Sequence, residues 1–151
     1  MNSAQIKQNL YSQCRDYTAM KLKRLSDQVY DIQSALESET KSSAGDKHET
    51  GRAMLHLERE KLGIQIAEAQ KLDVILSKID ITPSTLITLG SLVYTSGAAF
   101  FMSISIGSLE VHDTTYYAVG VNSPIGKMLL GKKIGDIIQF NGNPIVIENI
   151  I

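Results

Sequence analysis

Apolar residues in the first half of the chain recur at helical spacing. Within residues 3–40, Leu22, Leu25, Val29, Ile32 and Leu36 follow alternating steps of three and four, and Leu10, Cys14 and Tyr17 carry the stripe back toward the N-terminus. That period predicts one long amphipathic helix. A second stripe, Leu55, Leu62, Ala69 and Leu76, repeats at steps of seven, is joined by Ile66, Leu72 and Ile79, and predicts a helix from about residue 46 to residue 80. Residues 41–45, Lys-Ser-Ser-Ala-Gly, form a turn-rich break with room only for a reversal. The expected arrangement is an antiparallel helical hairpin, a coiled coil in which each stripe covers the other. At ~1.5 Å per residue the second helix makes a rod of roughly 50 Å.

Thr82-Pro83 stops the helical pattern, and strand-like runs follow at residues 85–95, 98–106, 116–121, 136–140 and 144–150. Asn141-Gly142-Asn143 is a hairpin signal between the last two. One segment breaks the strand pattern. Ser123 stands at a cap position, Pro124 at a first helical position and Gly131 where a helix would end, which predicts a short helix. The fold class expected is therefore α+β: a helical hairpin over residues 1–80, then an antiparallel sheet domain with one short helix over residues 81–151.

Composition sharpens that boundary. Residues 1–80 hold 12 of the 15 basic and 12 of the 16 acidic residues, and all three prolines fall after them. The formal net charge of -1 excludes strong nonspecific attraction to nucleic acid or anionic membrane, so no membrane partner is expected. No run approaches the ~18 apolar residues that span a bilayer, and the N-terminus lacks the apolar core of an export signal. A lone cysteine, Cys14, fits a reducing compartment, and a cytoplasmic location is expected. Its place on the helix stripe, with no histidine at helical reach, assigns it to core packing rather than nucleophilic chemistry.

Candidate chemistry concentrates where the second helix begins. Asp46 and Glu49 stand three apart there, so their side chains share one helix face ~5–6 Å apart. Two carboxylates can share one hard cation such as magnesium, which takes one or two protein carboxylates and fills its other positions with water or phosphate. The same spacing is that of a capping box, which needs no ligand. His48-Glu49 begins a zinc-protease HExxH motif, but Arg52 stands where its second histidine belongs. Gly126, Gly131 and Gly135 lack the spacing of a phosphate-cradling loop. His56 and His112 are expected at the surface. The aromatic residues Tyr94, Phe100, Phe101, Tyr116, Tyr117 and Phe140 are expected mainly in the core of the sheet domain.

A helical hairpin carrying Gly45-Asp46-Lys47-His48-Glu49 at its tip, followed by a sheet domain containing SPIGKMLLGKKIGD at residues 123–136, resembles the bacterial GreA/GreB transcript cleavage factors over nearly the whole chain. Asp46 and Glu49 match the two acidic positions of the family's tip motif. Ser123, Pro124, Gly126, Leu129, Leu130, Gly131, Lys132, Lys133, Gly135 and Asp136 match its C-terminal signature. The resemblance implies an FKBP-like sheet domain that docks on RNA polymerase and a hairpin that enters the polymerase secondary channel.

On that reading the chain has no cofactor of its own and is not itself an enzyme. Asp46 and Glu49 are the catalytic and metal-directed carboxylates, sharing a magnesium ion with the polymerase active site so that the 3′ end of backtracked nascent RNA is hydrolysed. Sequence-specific DNA recognition is not implied. Ser123, Pro124, Lys127, Lys132 and Lys133 are the candidates for the docking surface. The chain departs from the family where Thr50-Gly51-Arg52-Ala53 follows the tip, and Gly51 in an early helical turn costs up to ~1 kcal/mol relative to alanine. Lys47, His48 and Arg52 also set positive charge beside the carboxylates. Those departures keep open a noncleaving regulator that only occupies the channel, as in the Rnk or anti-cleavage branch of the family. The likeness to FKBP-type prolyl isomerases raises isomerase activity as a third reading, for which 6% aromatic content supplies a pocket poorly.

Overall fold

The structure, a computed structural model, describes the backbone of residues 1–41 and 46–151 and the side chains of residues 1–39 and 49–151. Two long helices come first, α1 (Ser3–Lys41) and α2 (Asp46–Ser77). A reciprocal pair opens α1: the Asn2 side chain accepts from the Gln5 backbone N–H and the Gln5 side chain accepts from the Asn2 N–H, both at 2.9 Å. Two donors that a helix start leaves without partners are thereby satisfied. The α2 helix stops at Ser77, short of the expected residue 80, and Asp80 then accepts from both the N–H and the hydroxyl of Thr82. A carboxylate turned back on its own backbone in this way competes with a further helical turn.

By packing, the chain divides into Tyr17–Asp73 and a second unit made of Met1–Asp16 with Val74–Ile151. The second helix ends at Ser77 and the first strand begins at Leu92, whereas the packing division runs through both helices. The reason is that Leu10, Cys14 and Leu76, on the ends of the two helices, are fully buried. The hairpin unit is held by Leu25, Leu62 and Ala69, with Leu22, Val29, Ile32 and Ile66 packed around them. Each buried leucine contributes roughly 1.5–3 kcal/mol. Near the far end of α1, Leu36 is buried and its carbonyl accepts from the Arg52 guanidinium at 3.2 Å. One expected stripe position differs: Tyr17 is exposed and Thr18 takes the seam. Thr18 lies seven residues before Leu25 and four after Cys14, whereas position 17 drifts off that line. Tyr17 instead lies beneath the Lys21 ammonium, 5.8 Å from the ring centre.

The other unit is built on six strands: β1 (Leu92–Thr95), β2 (Ala99–Ser103), β3 (Gly107–Val111), β4 (Thr114–Gly120), β5 (Ile137–Phe140) and β6 (Asn143–Ile150), with a short helix α3 (Pro124–Leu129) after β4. Their order across the sheet is β3-β4-β2-β1-β6-β5. Every neighbouring pair is antiparallel except β2 and β4, which run parallel. The exception follows from β3, which the hydrophobic pattern does not announce. After β2 the chain reverses and skips one strand position to form β3 at the edge, and β4 returns into the vacant slot. The turn that makes this possible is His112-Asp113, both at positive φ (48° and 60°), a two-residue reversal of the twist that suits hairpins. Asn141 and Gly142 (52° and 79°) do the same between β5 and β6, as their sequence predicts. The expected strand over residues 85–95 is only its last part, because Gly90 at φ 97° and the Thr88–Ser91 turn redirect the chain before β1. A Cβ at Gly90 would stand 2.2 Å from the Asp80 carbonyl oxygen, so only glycine fits there.

The two faces of the sheet carry separate cores. Val93, Phe100 and Met102 face α3 and pack with Ile125, Leu129, Ile138, Ile147 and Ile150. Strand alternation sends Tyr94, Phe101, Ser103 and Tyr116 to the opposite face. There Cys14 of α1 lies 3.7 Å from the Ser103 hydroxyl, and burial raises its thiol pKa against the opposing effect of that contact. Tyr94 and Tyr116 meet edge to face at 6.2 Å across the small Ala99 between them. Burial and the Tyr116 contact hold the Tyr94 phenol far above its usual range. Phe100, Phe101 and Tyr116 are buried as expected, and Tyr117 is exposed at the surface.

Lys7 is buried on this side with 1% exposure, and its ammonium donates to the Ile151 carbonyl at 2.9 Å. Burial lowers its pKa, and the Asp80 charge opposes that shift only in part. A base whose pKa is lower in the fold than in the unfolded chain is a net cost while it stays protonated, and stability rises as pH passes from the folded value toward the unfolded one. Lys7→Met is therefore expected to raise stability at pH 7 by roughly 1 kcal/mol. The advantage over wild type should shrink as pH rises toward 10, which urea titrations across that range check.

Candidate functional site

The two groups of residues singled out by sequence lie in different units. The acidic pair belongs to the hairpin. Asp46 is the first residue of α2 and Glu49 follows one turn later, exposed. A helical start places positions three apart on one face, so the backbone is compatible with a shared cation. Residues 42–45 of the expected reversal, and the side chain of Asp46, lie outside the described residues. Two carboxylates are an incomplete donor set for a hard divalent ion, which fits a metal whose remaining ligands come from elsewhere. Among the described residues no three His, Cys, Asp or Glu side chains are grouped to hold a metal by themselves. Gly51 and Arg52 follow on the same helix, and Arg52 is engaged across the hairpin with the Leu36 carbonyl.

The second group surrounds α3. Ser123 is its N-cap: the hydroxyl accepts from the Gly126 N–H at 3.1 Å and donates to the Gly120 carbonyl at 2.7 Å. Pro124 occupies the first turn, where its missing N–H has no helical partner to lose. Gly126 is required by contact, because a Cβ there would stand 1.9 Å from the Gly120 carbonyl oxygen. The helix thus lies directly on the end of β4, burying Ile125 and Leu129. Gly131, at φ 81°, turns the chain out of the helix, and its N–H donates to the Ile87 carbonyl while Ile87 N–H donates to Lys132.

Beyond that turn, Asp136 accepts from the Lys133 N–H at 2.9 Å and pairs with the Lys133 ammonium at 3.3 Å. The backbone bond is the main cause that lowers the Asp136 pKa, with smaller help from Lys133 and Lys132. Ser123, Pro124 and the glycines of this signature therefore have structural duties that explain them locally. Of the three lysines, Lys127 and Lys133 are exposed and Lys132 is half-buried. The hydrophobic pattern hid one feature of this segment: Leu130, Ile134 and Ile137 are exposed by 46, 56 and 63% beside those lysines. The signal available was an apolar run longer than a six-residue helix can bury on one face. Among the described residues no helix is long and apolar enough to cross a membrane.

The cap and the close approach have separable energetic consequences. Ser123→Ala is expected to cost ~1 kcal/mol, the usual worth of a side-chain cap. Gly126→Ala should cost roughly 2–3 kcal/mol, because the backbone of α3 must move off β4 to admit the methyl group. Chemical denaturation of the two variants checks both the direction and the order.

No protein-family model and no curated protein matches this chain. Among solved structures, it is similar to the GreA factor homolog 1 (Gfh1) protein of Thermus thermophilus at 22% identity, over 90% of this chain and 93% of that one, with a TM-score of 0.36. A structure of the transcription factor Gfh1 matches at 22% identity over 89% of this chain and 91% of that one, with a TM-score of 0.35.

Proposed function

We propose that this chain is a transcription elongation factor of the Gre type, which binds RNA polymerase, enters its secondary channel and stimulates cleavage of the 3′ end of backtracked RNA. The observation that carries the reading is the placement of the two motifs. The acidic pair Asp46 and Glu49 begins the second helix of a paired-helix unit, and the signature at residues 123–136 forms a capped helix bound tightly to a separate sheet unit. One unit offers carboxylates and the other a rigid surface. Asp46 and Glu49 are the residues that would hold a magnesium ion jointly with the polymerase, and such an ion supplies charge neutralisation at a phosphodiester and an acidified water. What the chain itself contributes is negative charge in fixed register, set by the helical start. Exposed Lys127 and Lys133, with half-buried Lys132 and the exposed apolar residues Leu130, Ile134 and Ile137, serve as the docking surface, whose geometry Ser123, Pro124 and Gly126 maintain.

Thr50-Gly51-Arg52-Ala53 after the acidic pair, together with the tie between Arg52 and Leu36, favours as a second reading a factor that occupies the channel without efficient cleavage. A backtracked elongation complex separates the two. Wild type is expected to accelerate RNA cleavage, and the pair Asp46→Asn with Glu49→Gln to lose roughly 100-fold of that stimulation while still competing for polymerase. Binding by wild type with no more cleavage than the double variant establishes the noncleaving reading instead.

A further inference from the structure

Helix α2 carries apolar residues on two faces, and the hairpin uses one of them. Leu62 and Ala69 are buried in the hairpin seam, with Ile66 packed beside them. At 3.6 residues per turn, Leu57, Glu60, Ile64, Ala67 and Lys71 come out on the opposite side of the same helix. All five are exposed. A helix face turned away from its core is ordinarily polar, yet Leu57 and Ile64, seven residues apart, are exposed by 55 and 66%. The steps along this outer stripe run three, four, three, four, which is the spacing of a coiled-coil seam.

The charges in the stripe select what covers it. A wholly apolar helix would strip water from Glu60 and Lys71 without replacing it, and a helix of one charge sign would repel one of the two. A second copy of the chain laid parallel would set Glu60 against Glu60 and Lys71 against Lys71. Laid antiparallel, with Ile64 opposite the partner's Ala67, the same stripe complements itself: a large side chain meets a small one, and Glu60 meets the partner's Lys71. The two-fold axis makes each contact twice. Lys71 already pairs with Glu68 one turn back at 3.2 Å, but that pair is exposed and weak, and an ammonium has donors for a second carboxylate. We propose that the outer face of α2 is a self-association surface on which a second copy packs antiparallel, Ile64 against the partner's Ala67 and Glu60 against the partner's Lys71. Leu57 extends the apolar contact beyond that charged pair. The surface is separate from the Asp46–Glu49 pair and from α3, and it does not depend on the function proposed above.

Sedimentation velocity of the full chain tests it. Wild type is expected to pass from monomer to dimer between ~5 and ~500 μM, the weak range that a contact of a few helical turns supports. Glu60→Lys and Lys71→Glu each set like charges opposite one another and should weaken association about tenfold. Both positions are exposed, so each variant should melt within about 3 °C of wild type. An equimolar mixture of the two variants brings opposite charges together again at both contacts and is expected to associate as wild type does. Recovery on mixing separates lost pairing from a damaged fold. A wild type that stays monomeric up to ~500 μM overturns the proposal. So does association that neither variant weakens, which places the contact on another surface, and so does a mixture that fails to recover. Each of those results leaves the proposed function standing, because cleavage of backtracked RNA is measured separately.

Discussion

Burial of one apolar stripe on each long helix is the constraint from which the rest of this molecule follows. Isolated helices are marginal in water, and propensity alone does not hold the 39 residues of α1 or the 32 of α2. Within Tyr17–Asp73 the stripes cover each other around Leu25, Leu62 and Ala69. In the other unit the same periodicity serves a different partner, with Leu10, Cys14 and Leu76 wholly buried beside a sheet whose opposite face is covered by α3. One repeat thus supports two cores, and the packing boundary falls inside helices instead of at the change from helix to strand.

Polar groups on the buried side of the helices mark where that economy meets a cost. Lys7 and Thr18 occupy stripe positions that an apolar residue would fill, and Ser103 lies across from Cys14. The Lys7 ammonium has a carbonyl partner, yet burial still governs its protonation. Such groups add little stability compared with hydrophobic replacements of the same volume. What they constrain is register, because a displaced α1 would bury the same charge without its acceptor.

The two candidate surfaces are built on opposite physical terms. On the function proposed above, the start of α2 contributes carboxylates at the spacing that the sequence sets. Around α3 it offers a surface made stiff by contact: a serine hydroxyl that both accepts and donates, a glycine forced by the carbonyl beneath it, and a carboxylate folded onto Lys133. A rigid platform suits recognition, since little ordering remains to oppose binding. On the same proposed reading, carboxylates at a helix start contribute to chemistry that another protein's groups complete.

Much of this was legible in the amino-acid order. Steps of three, four and seven announce both helices, Pro83 and the shift in charge mark the passage to strands, and Ser123, Pro124 and Gly131 bracket α3. These features are local, governed by backbone sterics and by periodicity within a few turns, so sequence by itself determined them. It also set the spacing of Asp46 and Glu49. Only the tertiary structure decided that β2 and β4 run parallel, that Thr18 and not Tyr17 lies on the seam, that Lys7 is buried, and that Gly126 is compulsory while Gly51 is not. Each of those depends on which atoms from distant parts of the chain come within a few ångströms, and no local pattern of residues encodes that distance.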